Sequence, residues 1–270
     1  MPLSVARRLG SCHARCWSKA SRVRVLNPQD EYLTCIESAC AYLDGVEECG
    51  IWEGDAAGLL VLHGLAMYAR DMARAASSLL RGGQTLAAAA LTRVVIEHAV
   101  LAQWLTVDPE TRGQLFLQQS QVERYRWFEV VLAANFDLTD PLHAALTGIE
   151  EESRGLRPKN VAREFETPKN LFGDTENGRQ FYLTYRHLSR YVHPSVTTFG
   201  RYTTDAPRGG GRQLVNQLQV DQDPEAASFY LASAAVMCAL PYLDVLDDQM
   251  RAATMLRLAA HAAHVPTALG

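Results

Sequence analysis

Apolar residues recur along this chain with helical spacing, and glycine or proline punctuates nearly every interruption. Asn27-Pro28 predicts an N-cap followed by proline at the first helical position, opening a helix that runs to about Glu48 and stops at Cys49-Gly50. A second helix follows Gly54-Asp55. Its positions Leu59, Leu62, Leu65, Ala66, Ala69, Ala73 and Leu80 keep one apolar stripe up to Gly82-Gly83. A third covers Thr85–Val107, made narrow by Ala87–Ala90 so that a neighbour can approach closely. A fourth runs from Pro109 to about Asn135 and carries Phe116, Tyr125, Trp127 and Phe128.

Thr139-Asp140-Pro141 caps a fifth helix. Residues 154–178 form a polar connector containing Pro158, Pro168, Gly173 and Gly178. A helix of about Glu176–His193 follows, ending where Pro194 disfavours helical geometry at the preceding residue. Around Gly209-Gly210-Gly211, residues 200–222 form a loop or short hairpin. Asp223-Pro224 opens a long apolar helix bearing Phe229, Leu231, Ala235, Val236 and Leu240. Pro241 kinks or divides it, and a last helix reaches about His264. Strand-like alternation is absent outside the glycine-flanked loop. The fold class expected is all-α: one helical bundle of seven to nine helices over residues 27–264, with a basic arm over 1–26 and a short tail over 265–270.

Charge sharpens this picture. The formal net charge is −4, yet the first 26 residues hold six Lys/Arg and no acid, which leaves −10 on the rest. Such a balance argues against broad, non-specific nucleic-acid binding by the body of the protein. The arm is Arg-rich and acid-free, as an organellar transit peptide would also be, but it lacks the continuous apolar centre of a secretory signal; a disordered basic arm, or a start codon placed too far upstream, is the reading preferred. Cys12, Cys16, Cys35, Cys40, Cys49 and Cys238 match no Cys-x-x-Cys or zinc pattern and fit reduced thiols in a cytoplasmic protein. No apolar run is expected to span a bilayer. The closest, Leu86–Leu105, is interrupted by Arg93, Glu97, His98 and Gln103.

Polar chemistry concentrates in Tyr182–Pro194. On a helix, Arg186, Ser189 and His193 fall at i, i+3 and i+7, with Tyr182 one turn earlier on the same face. Arginine holds phosphate through a forked pair of donors, and histidine transfers protons near neutral pH. A helix C-terminus favours His193 as imidazolium. From Gly178 to Arg212 there are six arginines, including Arg186 and Arg190, against the single acid Asp205, so an anionic ligand is indicated. An ordinary alternative is a helix stop at His193-Pro194, with Arg186 bonded to a carboxylate elsewhere.

A second pair, Arg93 and Glu97, stands at i, i+4 on the most apolar helix. Such a pair is partly buried and needs partners. Glu97 could receive Arg186 or orient His193 across the bundle, or the pair could be purely structural. His63 and His98 fit core or interface positions. Glu97-His98 lacks the Glu-x-x-His spacing of carboxylate-bridged metal sites, so neither metal nor other cofactor is expected. There is no Gly-x-Ser-x-Gly elbow and no Gly-rich loop with Lys-Ser/Thr.

Arg186-His187, five residues and then His193 resembles the signature of the HEPN superfamily, an arginine, a polar residue and a later histidine on a late helix of an α-bundle. The chain is also similar, over about residues 30–250, to a group of uncharacterised bacterial helical proteins. Those share an Arg-x-x-x-Glu helix, here Arg93–Glu97, and a Tyr-x-x-Leu-Ser-x-x-x-His-Pro segment, here Tyr185–Pro194. Many HEPN members are metal-independent ribonucleases of toxin or phage-defence systems. That resemblance implies His193 as general acid or base, Arg186 as stabiliser of phosphoryl charge, His187 or Ser189 as orienting groups, and two motifs paired across a homodimer. Arg93, Glu97, Tyr182, Tyr185 and Arg190 would support the anion. Two other functions fit the residues: a non-catalytic module binding a nucleotide or other anionic small molecule, and an interaction scaffold in which the polar groups form a buried network.

Overall fold

The computed structural model describes residues 27–46, 56–133, 167–173, 178–192, 203–205, 212–214 and 223–246, together with residues 147, 148, 162, 165, 254 and 257. Asn27 opens α1 (Pro28–Asp44) as expected: its side chain accepts the Gln29 amide at 3.3 Å, and Pro28 takes the first helical position. Helix α1 ends earlier than predicted, at Gly45, whose amide donates to the Ala41 carbonyl. Helices α2 (Ala56–Arg81) and α3 (Thr85–Leu105) are separated by a turn in which Gly83 has φ +70°, a conformation that favours glycine. Helix α4 (Pro109–Ala133) follows after three residues.

The connector expected over 154–178 is not all connector. Pro168–Gly173 forms a short helix, α5, whose Phe172 is buried in the core. Phe165, just before it, stands edge-on to Trp104 with ring centroids 5.3 Å apart. Helix α6 (Gly178–Val192) is the polar helix of the sequence, and it ends just before His193-Pro194. The glycine-flanked hairpin is present: β1 (Thr203–Asp205) pairs antiparallel with β2 (Arg212–Leu214), with Thr204 opposite Gln213. Asp223 caps α7 (Pro224–Val245) by accepting the Glu225 amide at 2.9 Å. Pro241 does not divide α7, which runs unbroken through it. The helices expected after Pro141 and up to His264, the basic arm and the tail lie almost entirely outside the described residues.

The protein is all-α, with seven helices and one small hairpin among the described residues. Helices α2 and α3 form the centre. Helix α7 packs on α1, α2 and α3, α4 packs on α2, and α6 lies against α3 and α5. One apolar cluster joins α1, α2, α3, α5, α6 and α7, including Tyr32, Ile36, Leu62, Ile96, Trp104, Phe172, Leu188, Leu231 and Tyr242. Burial of this much apolar surface is the dominant favourable contribution to folding.

Helices α2 and α4 meet through glycine. A Cβ on Gly113 would lie 2.6 Å from the Gly58 backbone nitrogen, and one on Gly58 would lie 2.5 Å from the Pro109 carbonyl oxygen. Only hydrogen at both positions lets the two backbones come this close.

By length and composition α3 and α7 are each apolar enough to cross a membrane. Arg93 and Glu97 are too few charges to remove α3 from that class. Here more than half of each segment is buried against neighbouring helices.

Candidate functional site

Helix α6 has two distinct faces. Tyr185 and Leu188 are buried and Tyr182 is half-buried, so this side packs on α3 and α5. Phe172 of α5 stands 5.2 Å from the Tyr185 ring and 5.7 Å from the Tyr182 ring, while Tyr182 and Tyr185 lie nearly parallel at 6.3 Å. The opposite side exposes Arg179, Leu183, Arg186, His187 and Arg190, at i, i+4, i+7, i+8 and i+11. No Asp or Glu occurs in α6.

Arg93 of α3 fastens this helix to the core. Its guanidinium lies over the Tyr185 ring, 4.8 Å from the centroid, and Nη2 donates to the Tyr185 hydroxyl at 3.0 Å and to Glu97 Oε1 at 2.8 Å. Arginine can only donate, so the Tyr185 oxygen accepts and its own hydrogen stays available. The Arg93 Nε atom is buried without a partner among the described residues. The side chain is 19% exposed and that of Glu97 is 36% exposed, so the pair sits at the edge of the core rather than inside it. Glu97 takes Arg93 of its own helix and does not receive Arg186, which corrects the cross-bundle pairing considered from the sequence.

Beside this network, Leu183, Tyr185, Arg186, His187, Ser189 and Arg190 line an open pocket of about 480 Å³. Arg186 is exposed and has no hydrogen-bond or ion-pair partner among the described residues. The His187 Nε2 lies 3.2 Å from the Tyr191 hydroxyl, with the two rings nearly perpendicular. Ser189 was expected to orient an anion, but its hydroxyl donates back to the Tyr185 carbonyl at 2.7 Å. This i to i−4 bond is a local habit of helical serine, and it leaves only the oxygen lone pairs for a ligand. Five expected site residues, Tyr185, Arg186, His187, Ser189 and Arg190, thus share one pocket. Tyr182 faces the aromatic packing instead, and Arg93 and Glu97 stand behind Tyr185. His193 and Pro194 lie outside the described residues.

Two histidines have structural partners. His98 Nδ1 donates to the Val94 carbonyl at 2.8 Å, and its ring stacks on Tyr68 at 4.9 Å. Burial pushes this imidazole below its ordinary pKa, against the opposing pull of the Val94 carbonyl and the Glu97 charge. His63 Nδ1 lies 2.7 Å from the hydroxyl of buried Tyr242. Among the described residues no group of three His, Cys, Asp or Glu side chains is placed to hold a metal ion.

The Arg93–Glu97 helix and the Tyr185–Pro194 segment both fall within residues 59–210, and the profile of a family of unknown function, DUF5677, matches this stretch. The chain belongs to that family. The DUF5677 stretch holds every candidate site residue, His193 included, whereas α1 and α7 lie outside it. It is narrower than the span of about 30–250 expected from the sequence. No curated protein and no solved structure matches the chain.

Proposed function

We propose that the pocket on α6 binds the phosphates of RNA and that the protein is a HEPN-like, metal-independent endoribonuclease. The observation carrying this reading is Arg186: an exposed guanidinium in an open pocket, beside His187 and Arg190, with no partner among the described residues. A cation left unneutralised on an acid-free helix of an anionic protein suits a phosphoryl oxygen. In the reaction, His193 takes the proton of a ribose 2′-hydroxyl, and that oxygen attacks the adjacent phosphorus. The bond to the 5′-oxygen breaks, a 2′,3′-cyclic phosphate forms, and the leaving oxygen takes a proton from water. Arg186 offsets the charge gathering on the phosphoryl oxygens. The resemblance adds a homodimer acting in defence or as a toxin, and the cysteine pattern fits the cytoplasm.

The test is cleavage of RNA by the full chain in EDTA. Loss of cleavage in both Arg186→Ala and His193→Ala, with unchanged melting temperature, is expected. Wild-type activity in either pure variant overturns the assignment.

A second reading is favoured by the spent hydroxyl of Ser189 and the internal pairing of Arg93 and Glu97. Both leave fewer groups for catalysis than the sequence promised, and fit a module that binds a nucleotide without turnover. ATP or inorganic phosphate would then raise the melting temperature through Arg186 while RNA stays intact. An interaction scaffold, the third function the residues allow, would leave both assays silent.

A further inference from the structure

The exposed stripe of α6 continues beyond the pocket. Arg179 lies on the same face, two turns before Arg186, and is exposed with no partner among the described residues. At a rise of about 1.5 Å per residue, Arg179, Arg186 and Arg190 are spread over roughly 16 Å of helix axis. One strand of stacked nucleic acid advances about 3.4 Å per nucleotide, so the stripe matches about five nucleotides. A mononucleotide would leave most of it unused.

What lies between the arginines also matters. Leu183 is 65% exposed in the interval between Arg179 and Arg186. The exposed His187 imidazole is braced by Tyr191. Alternating cations with apolar or ring surfaces is how proteins hold single strands, whose unpaired bases offer flat faces as well as phosphates. A duplex keeps those faces stacked inside.

We infer that the outer face of α6 is a track for single-stranded nucleic acid about five nucleotides long, with Arg179 as a phosphate-binding residue outside the pocket. This rests on the RNA reading of the pocket and extends it from a point site to a line.

The experiment measures binding of fluorescent oligodeoxyuridylates of two, four, six and eight nucleotides by anisotropy. These lack the 2′-hydroxyl and are not cleaved by the proposed route. Affinity should rise up to about five nucleotides and then level off, and an RNA duplex of equal length should bind at least about tenfold more weakly. Arg179→Gln should weaken the eight-nucleotide ligand about tenfold, and lower the slope of log affinity against log salt by about 0.7. Affinity for the dinucleotide should be unchanged. Arg186→Gln should weaken both. Arg81→Gln, which removes an equal charge from the far end of α2, should change neither.

The track is overturned, and the pocket retained, if dinucleotide and octanucleotide bind equally and only Arg186→Gln weakens them. It is equally overturned if Arg81→Gln matches the effect of Arg179→Gln. If Arg186→Gln has no effect on any ligand, the pocket reading fails together with the track.

Discussion

The side-chain amide of Gln103 on α3 donates to the backbone carbonyl of Met237 on α7 at 3.0 Å. In an unbroken helix that carbonyl would bond the amide of residue 241, but residue 241 is proline and has no N–H. Gln103 supplies the missing donor from a neighbouring helix, which lets α7 run through Pro241 in a buried setting. Gln103→Leu should therefore cost about 1–3 kcal/mol, the penalty of an orphaned, partly buried carbonyl. In a Pro241→Ala background the backbone regains its own N–H, and the same substitution should cost clearly less. Urea denaturation of the four proteins of this cycle measures the coupling; strict additivity would rule the relationship out.

The glycine contact between α2 and α4 separates two glycines that look alike in sequence. Gly113→Ala forces a methyl against the Gly58 backbone and should destabilise by about 1–3 kcal/mol. Gly64, also on α2, is exposed with nothing within 4 Å of its would-be Cβ. Gly64→Ala should stabilise by about 0.5–1 kcal/mol through helix propensity alone. Thermal denaturation of the two variants should give shifts of opposite sign.

Arg93 and Tyr185 can be separated by their chemistry. Tyr185→Phe keeps the ring under the guanidinium and removes one hydrogen bond, so a loss of about 1 kcal/mol is expected. Arg93→Ala also leaves Glu97 unpaired. Because Glu97 retains solvent contact, the cost should fall short of the ~3–5 kcal/mol of a fully buried pair, at about 1–3 kcal/mol. Equal losses in the two variants would mean that the hydroxyl bond is the whole interaction.

His98 makes stability depend on pH. Burial lowers its folded-state pKa beneath the unfolded value of about 6.5, so the unfolded chain takes up the proton first as pH falls. The stabilisation is complete above about pH 6.5 and is lost as pH drops toward the lowered folded value. His98→Phe keeps a ring against Tyr68 without a titrating group. Its melting temperature should fall less than the wild type's between pH 7.5 and 5.5. An identical fall in both proteins would assign the acid sensitivity to other groups.

Much of the fold was legible because it is written in short-range chemistry. Asn27-Pro28 and Asp223-Pro224 each open a helix through a side chain reaching an amide two residues on, and Gly82-Gly83 closes one by turning left-handed. Apolar periodicity located α2 and α3 to within two residues. Helix α5 was missed because six residues are too few to show a period, and its Phe172 stands in an otherwise polar stretch. Pro241 reads as a kink or a break because nothing local shows that Gln103, 134 residues before Met237, supplies that carbonyl's donor. The site divided in the same way. Helical spacing puts Arg186 and Ser189 one turn apart whatever α6 packs against, while His187 is read from the Arg-His motif and Arg190 from the local excess of arginine. The bond from Ser189 to the Tyr185 carbonyl was equally local and was available to the same reasoning.

By itself, then, the sequence determined where helices start and stop, that the chain is all-α, and which polar residues share a helix, since each depends on atoms within a turn or two. Tertiary structure alone decided that Arg93 turns to Tyr185 and Glu97, that Gln103 completes α7, and that Gly58 and Gly113 touch. Those pairings depend on how the chain brings distant helices together. Apolar burial drives that approach without specifying which polar partners will meet.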